Sequence, residues 1–419
     1  MIQEKHFHLI DTRRALHQCA EIGCALPKTR KIIEDCLDRA GVEHQRVGRG
    51  SVVARIGEGE CGVLLRADMD ALPMSEETGE EYACANGNMH ACGHDMHTAM
   101  LLGAVSALSE KKQIPPYELR FLFQASEENL VGAHDAISCG VLDKWENIRT
   151  ENDGICKQLL ENQENLFIKC AFSLHCMTGV PLNVGEVIVG DGGVVAPASS
   201  YFTLRTYGKS AHGGAPHMGR DALLALMAIY NAYGSLAQNS VSSKDQPLIT
   251  IGEMHSGDTA NVVPSHAYMR GTVRSMSDKA QEKLIEKMKE AAMHISRAYG
   301  VTSEFSVEGY APTLKNDADL SKRAHFYLKK CFSPTRVKFS SDICLSEGGK
   351  RIGGSEDFAH FSHIVPSLLI ALAAGDSREG YTYPLHHPKV RFDENALMIG
   401  ASIYEALAMS DIGAVFPVN

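Results

Sequence analysis

Between Met89 and Thr98 the chain reads Met-His-Ala-Cys-Gly-His-Asp-Met-His-Thr, crowding three imidazoles, a thiol and a carboxylate into eight residues. Donors at this density point to metal ligation. Cys92 and His94 flank Gly93, whose freedom lets the backbone turn until both side chains face one point. Two other readings stand beside this one. Cys92 could be a thiol nucleophile with His94 as its base, or the cluster could be packing. Residues two apart, however, place an imidazole poorly against the sulfur. His90 and His97, taken singly, read as structural. A cluster this short cannot complete a metal site, so the remaining ligands must come from elsewhere in the chain.

Four apolar stretches are placed to supply them. GVLLRADMDALP runs into Asp68 and Asp70, ELRFLFQASEEN ends in Glu127 and Glu128, and FIKCAFSLHC ends at His175. SLLIALAAG leads through a loop to Tyr383-Pro384-Leu385-His386-His387-Pro388. In open α/β sheets the functional crevice lies at the carboxyl ends of the strands, so these residues are expected to converge there. Neighbouring side chains at a strand end diverge. Of Glu127 and Glu128, one could therefore bind metal while the other works as a base; two solvated loop acids is the plainer alternative.

The elements that carry these residues follow from periodicity. RRALHQCAEIG and KTRKIIEDCLDRAG read as helices, the second with Ile32, Ile33, Cys36 and Leu37 on one face and Gly41 as its stop. SVVARI and GVLLRAD read as strands joined by a hairpin, although the joint, Gly57-Glu58-Gly59-Glu60-Cys61-Gly62, formally matches G-x-G-x-x-G. That match is rejected because it lies between strands and its glutamates would repel a pyrophosphate. From about Ala196 to Gly309 the pattern changes to β-α-β-β-α-β, a ferredoxin-like order, and the stretch is expected to be an inserted second domain. The polar segment from Asp143 to Leu166, with the only tryptophan, reads as a surface excursion.

Two residues of the inserted stretch are chemically suggestive. His212 lies in GKSAHGGAPH, where a phosphate loop is excluded because Thr203 stands where its first glycine must be. An amide-cleaving site needs a donor to a developing oxyanion, and His212 could be that donor. Arg274 ends the strand AYMRGTVRS and suits bidentate recognition of a carboxylate; an exposed salt bridge is the alternative.

At 419 residues two domains are expected, and 44% hydrophobic with 22% charged residues is a globular composition. A net charge of −10 argues against nucleic acid or an anionic membrane surface as the main partner. MIQEKHFHLIDTRR has no apolar signal region, and IVPSLLIALAAG is too short to span a bilayer. The twelve cysteines have no framework spacing. A cytoplasmic protein with reduced thiols is the expectation.

In order along the chain, RADMDALP, HACGHDMHTAMLLGA, GKSAHGGAPHMGRDAL, NVVPSHAYMRGTVRS, GGSEDFAHF and LHHPKVRFDENAL resemble the blocks of one family. It is the two-domain, two-metal amidohydrolases and metallopeptidases that include hippurate hydrolase, N-acyl-L-amino-acid amidohydrolases and the auxin-amino-acid conjugate hydrolases. The resemblance implies an α/β fold: a mixed-sheet dinuclear-metal hydrolase domain formed by residues 1–195 and 310–419, and an inserted ferredoxin-like lid and dimerisation domain over 196–309. It implies two divalent ions, Mn²⁺ or Zn²⁺, held by Cys92, His94, Glu128, His175 and His386. Glu127 would be general base and then acid, with Asp70 orienting the site. His212, Asn261 and Arg274 would hold the scissile carbonyl and the substrate's carboxylate. In relatives the counterpart of His212 reaches the site of the other subunit, which implies a homodimer. The expected reaction is hydrolysis of small N-acyl amino acids; a dipeptidase or carboxypeptidase on the same scaffold, or a non-catalytic metal- and ligand-binding protein, are the alternatives. The chain departs from the family at Gln124-Ala125-Ser126-Glu127-Glu128, where relatives show Gln-Pro-Ala-Glu-Glu, and at Cys176-Met177-Thr178-Gly179, where an aromatic residue and a proline are usual.

Overall fold

A computed structural model describes residues 2–150, 166–342 and 354–410. Within them the chain separates into two compact units, one spanning residues 196–314 with a short later stretch that includes Ser355 and Glu356, the other formed by the sequence on either side. In chain order the elements used below are α1 (Ile2–Gln18), α2 (Pro27–Ala40), β1 (Glu43–Val47), β2 (Ser51–Ile56), β3 (Gly62–Asp68), α3 (His94–Ser109), β4 (Glu118–Gln124), α4 (Gly132–Ser138), β5 (Ile168–Met177) and β6 (Val187–Val189). These are followed by β7 (Ala198–Tyr207), α5 (Ala222–Asn239), β8 (Leu248–Ser256), β9 (His266–Ser275), α6 (Asp278–Ala298), β10 (Thr302–Ala311), α7 (Ala318–Cys331), β11 (Val337–Phe339), α8 (Ala359–Ser362), β12 (Ser367–Ala373) and α9 (Ala396–Ala408).

The larger unit is built on an eight-stranded mixed sheet in the order β1-β2-β4-β3-β5-β12-β6-β11. Its centre, β4-β3-β5-β12, is parallel throughout. Strands β3 and β4 are buried at every position, which is what a sheet covered on both faces requires and why their sequences run apolar instead of alternating. Helix α3 lies in this core; most of its residues are buried, and it packs against α9, α1 and β3. Gly400 lets α9 approach closely, since a Cβ there would stand 2.2 Å from the Met100 sulfur. Helix α2 buries Ile33 and Leu37 and ends at Gly41 in the left-handed region, as its periodicity and stop signal indicate.

The hairpin expected between β2 and β3 does not form. β4 inserts between them, pairing antiparallel with β2 and parallel with β3. The turn-forming sequence Gly57–Gly62 therefore joins two strands that are not neighbours, and the hairpin of this region is β1 with β2 across Gly48–Gly50. Of the segment 143–166, Trp145 lies under two guanidinium groups, Arg55 at 4.9 Å and Arg120 at 5.8 Å from its ring centre. Residues 151–165 lie outside the described residues.

The smaller unit is a four-stranded antiparallel sheet in the order β8-β9-β7-β10. Helices α5 and α6 pack on it through Leu226, Ile229, Tyr233, Leu284 and Met288, which meet Phe202, Leu204, Met269 and Val273 of the strands. Both helices are capped from their own sequence: Asp221 accepts from the Leu224 N–H and Ser277 from the Ala280 N–H. Strand β10 runs past residue 309 to Ala311, and the unit continues to Leu314. Among the described residues no helix is long and apolar enough to cross a membrane.

Candidate metal and catalytic site

The parallel centre of the large sheet brings four carboxyl-terminal strand ends to one edge. Asp68 closes β3 with Asp70 just beyond, Glu127 and Glu128 follow β4, His175 lies near the end of β5, and β12 leads on to His386. Helix α3 starts at the same edge with His94 as its first residue. Gly93, at the N-cap, has φ 85°, and a Cβ there would meet the Phe392 ring at 2.9 Å. The chain can turn from Cys92 into the helix at His94 only because this position lacks a side chain.

The turn sets the donors of the cage. His94 Nδ1 donates to the Asp70 carbonyl oxygen at 2.9 Å, which leaves Nε2 with its lone pair. That Nε2 is buried without a hydrogen-bond partner and lies 3.7 Å from Asp68 Oδ2, 3.9 Å from Glu127 Oε2 and 3.9 Å from Glu128 Oε1. His175 Nδ1 donates to the Cys176 carbonyl oxygen at 2.8 Å, directing its Nε2 toward Cys92 Sγ, 3.5 Å away. His386 Nε2 is 3.6 Å from Glu128 Oε1. The ligating atoms of Cys92, His94 and His175 lie within 4.8 Å of one another, as do those of Cys92, Glu128 and His386, and those of His94, Glu127 and Glu128. The sharing of Cys92, His94 and Glu128 among these triples describes one connected cage with room for more than one cation.

Electrostatics tests whether a cation fits. Burial disfavours charge on His94, but the Asp68 charge and the hydrogen bond to Asp70 outweigh it and hold the imidazole well above its ordinary range. Asp68, buried beside His94, His97 and Arg66, is held well below the carboxylate range despite that burial. The cage therefore demands positive charge at His94 Nε2, supplied by a proton when nothing else is there. Burial pushes the Cys92 thiol up, and burial with the nearby His97 lowers His175 to about 3, which keeps it neutral and ready to ligate. Thiol, imidazoles and carboxylates around a partnerless buried nitrogen fit a divalent cation.

Asp70 also holds the pair of acids. Its carboxylate accepts the Glu127 N–H at 3.0 Å and the Glu128 N–H at 3.2 Å. The preceding residue, Ser126, has φ 61°, and His386 has φ 64°. Two of the four non-glycine residues with positive φ among those described thus stand at this site, where backbone strain marks a constrained loop. Glu127 presents its two oxygens differently: Oε1 accepts the Asp357 N–H at 3.2 Å, while Oε2 is on the His94 side.

Around this arrangement lie His97 and His90, read from sequence as structural, and Asp95, Arg66 and Asp357, to which sequence reasoning gave no role. His97 donates from Nδ1 to Asp68 at 2.6 Å and accepts the Cys176 N–H at Nε2, 2.8 Å away, so both its nitrogens are engaged in joining β3, α3 and β5. His90 is buried with neither nitrogen hydrogen-bonded, and burial lowers it to about 3. Asp95 pairs with Arg13 at 2.7 Å and His17 at 2.8 Å, anchoring α1 against the start of α3. Arg66 and Asp357 form a further buried pair at 2.9 Å. The available signal for Arg66 was a lone charge within the apolar run GVLLRAD, which only a buried partner can satisfy.

In the smaller unit, His212 and Asn261 are brought together. Residues Ala211–His212 pair with Val262–Val263, and the Gly213 N–H donates to the Asn261 carbonyl at 2.7 Å. Arg274 is not with them. It pairs across from Ser199, eight residues along β7 from the Tyr207–His266 pair that leads to His212, a distance of about 26 Å at the rise of a strand. Arg274 Nη1 donates to Ser355 Oγ at 3.4 Å.

Comparison with known proteins places the chain among related hydrolases. Residues 64–410 match the family described as peptidase family M20/M25/M40. The chain is 29% identical to thermostable carboxypeptidase 1 of Saccharolobus solfataricus, over 97% of this chain and 96% of that protein. It is also 29% identical to the N-acetylcysteine deacetylase of Bacillus subtilis, over 97% and 98%. A solved Bacillus subtilis protein, described as a dinuclear metal binding peptidase from the M20 family, superposes with a TM-score of 0.70 at 26% identity, covering 97% of this chain and 98% of that one. With the match spanning most of its length, the chain belongs to peptidase family M20/M25/M40 and is a metal-dependent amidohydrolase.

Proposed function

We propose that the protein hydrolyses the amide bond of small N-acyl amino acids, with an acetyl, benzoyl or similar acyl group, and releases a carboxylic acid and a free amino acid. The observation that carries this reading is the position of Glu127, with one oxygen anchored and the other facing the cage. Cys92, His94, Glu128, His175 and His386 would hold two divalent ions. When bound, such ions polarise a carbonyl and lower the pKa of water from about 15.7 toward neutrality. Mixed soft and hard donors suit Zn²⁺ and also admit Mn²⁺.

Glu127 takes a proton from water as the oxygen adds to the substrate carbonyl carbon. The carbonyl π pair moves onto oxygen, where His212 donates a hydrogen bond, an interaction typically worth about 2.7–4 kcal/mol. The C–N bond then breaks, and Glu127 returns the proton to the leaving nitrogen. Asn261 helps hold the scissile carbonyl and Arg274 pairs with the substrate's carboxylate. Asp70 keeps the two glutamates in register.

The smaller unit is read as a ferredoxin-like lid and dimerisation domain, a reading supported by its element and strand order. A homodimer is favoured by the separation of His212 from Arg274, which is longer than an N-acetyl amino acid. It is favoured too by the exposed row Leu224, Met227 and Tyr230 on α5 beside the edge strand β8. A cytoplasmic location is part of the same reading, in keeping with twelve cysteines that show no disulfide-framework spacing.

A second reading, a peptidase acting on dipeptides or a carboxypeptidase, is favoured by the thermostable carboxypeptidase relative. Parallel assays on N-acetyl and N-benzoyl amino acids and on dipeptides, after addition of Mn²⁺ or Zn²⁺ and with metal per chain measured, separate the two. Glu127→Gln is expected to keep metal and lose about 10²–10⁴ in turnover, whereas Cys92→Ser loses metal as well. A Glu127→Gln protein of normal activity would remove the mechanism, and two metals without turnover on any substrate would leave a binding protein.

A further inference from the structure

Asp357 sits at the centre of a buried hydrogen-bond cluster that ends on Glu127. Its Oδ1 accepts from Arg66 Nη2 at 2.9 Å and from Gln124 Nε2 at 2.7 Å. Its Oδ2 accepts from Gln124 Nε2 at 2.9 Å and from the Ala133 N–H at 2.8 Å. Arg66 in turn donates from Nη1 to Asp68 Oδ2 at 2.9 Å and from Nε to Gln124 Oε1 at 3.0 Å. Arg66, Gln124 and Asp357 are all fully buried. One guanidinium thus ties the carboxylate beside His94 to the residue whose N–H meets Glu127 Oε1.

A buried charge in a fully bonded cluster is expensive to build and stiff once built. Strands β3 and β4 and helix α4 converge on the Asp357 carboxylate, and its main-chain N–H is directed to the carboxylate that the proposed reaction needs held. We propose that Asp357, locked by Arg66 and Gln124, is a positioning residue for Glu127: its main-chain N–H pins Oε1, so that only Oε2 is presented to the cage. This inference rests on Glu127 being the base. A freely rotating glutamate would spend part of its time turned away from the reacting water, and misplacement on the scale of 1 Å is enough to cost about 10²-fold in rate.

In Asp357→Asn one of the two oxygens becomes an NH₂ facing existing donors, so one side of the lock opens. The metal-loaded full-length protein is expected to lose about 10- to 100-fold in kcat, with KM and metal per chain near the parent values. Asp357→Glu, which restores the acceptor, is expected to recover part of that loss. Gln124→Ala leaves Arg66 on Asp357 and is a milder variant, expected to lower kcat with metal retained if Asp357→Asn fails to fold. Unchanged kcat in a folded Asp357→Asn, or in Gln124→Ala when the former does not fold, overturns the proposal. So does a loss of kcat that tracks lost metal, because that is cage damage. If Glu127→Gln is inactive while Asp357→Asn is normal, the positioning role fails alone; if Glu127→Gln is active, the base assignment itself has failed.

Discussion

The Asp70 carboxylate accepts the main-chain N–H groups of Glu127 and Glu128 together, at 3.0 and 3.2 Å, so a single side chain sets the register of both acids. Removing it leaves two amides without their acceptor in a loop already held at positive φ by Ser126. Each such unsatisfied group costs about 1–3 kcal/mol. Asp70→Ala is therefore expected to lose at least about 10²-fold in turnover together with metal affinity. Asp70→Asn, which keeps one acceptor oxygen, should fall between the two. Steady-state rates and metal per chain measured on the same preparations check this, and an Asp70→Ala protein with parental values would refute it.

Gly93 has φ 85° and faces the Phe392 ring, so Gly93→Ala meets both strain and a clash. The left-handed backbone alone costs a non-glycine residue about 1–2 kcal/mol. The variant is expected to melt at lower temperature and to bind less metal, because relief of the strain moves Cys92 relative to His94. Thermal unfolding of the metal-free and metal-loaded forms distinguishes the effects. A drop in Tm equal in both forms would mean that the turn supports the fold and not the cage.

Most of this site was legible because donor-rich strand ends stand out against apolar strands. Asp68, Asp70, Glu127, Glu128 and His175 each follow or end a buried run, and parallel neighbours put such ends on one edge. The strands and helices between 198 and 311 were equally visible, since strands such as β8 alternate in burial and the helices carry caps. The partner of Arg66 was not legible. Asp357 lies 291 residues away, and local pattern carries no information about which distant carboxylate will meet a buried guanidinium. The supposed hairpin of β2 and β3 failed for the same reason: β4, from beyond α3, outcompeted the nearer strand for their edges. The role of His97 was hidden in its own cluster, because spacing alone does not say which of several imidazoles is consumed by a carboxylate and a backbone amide.

Metal binding should depend steeply on pH, with a sign set by two groups. Without a cation, His94 is held above the ordinary imidazole range and the Cys92 thiol above its own. Both favour the protonated form, so each must give up a proton when a cation binds, and affinity rises with pH until those protons are gone. Acidification is expected to strip metal before it unfolds the chain. Calorimetric titration in buffers of different ionisation enthalpy counts the protons released; at least about one per chain is expected. Binding with no proton release would show that neither group enters the cage.

Arg274 lies near one end of the β7–β9 pair and His212 beyond the other, too far apart for one smaller unit to present both to one short substrate. In the proposed twofold dimer, each site takes Arg274 from its own chain and His212 from the partner. His212→Ala and Arg274→Ala should then each be nearly inactive alone. Unfolding and refolding an equal mixture gives mixed dimers, in which one of the two sites regains both residues. Half of the dimers are mixed under random pairing, so activity should return to about one quarter of the parent value. Both variants should keep their metal, since neither residue belongs to the cage. Recovery with no mixing of chains, or none after mixing is verified by mass, would place His212 and Arg274 in the same subunit's site or outside the reaction.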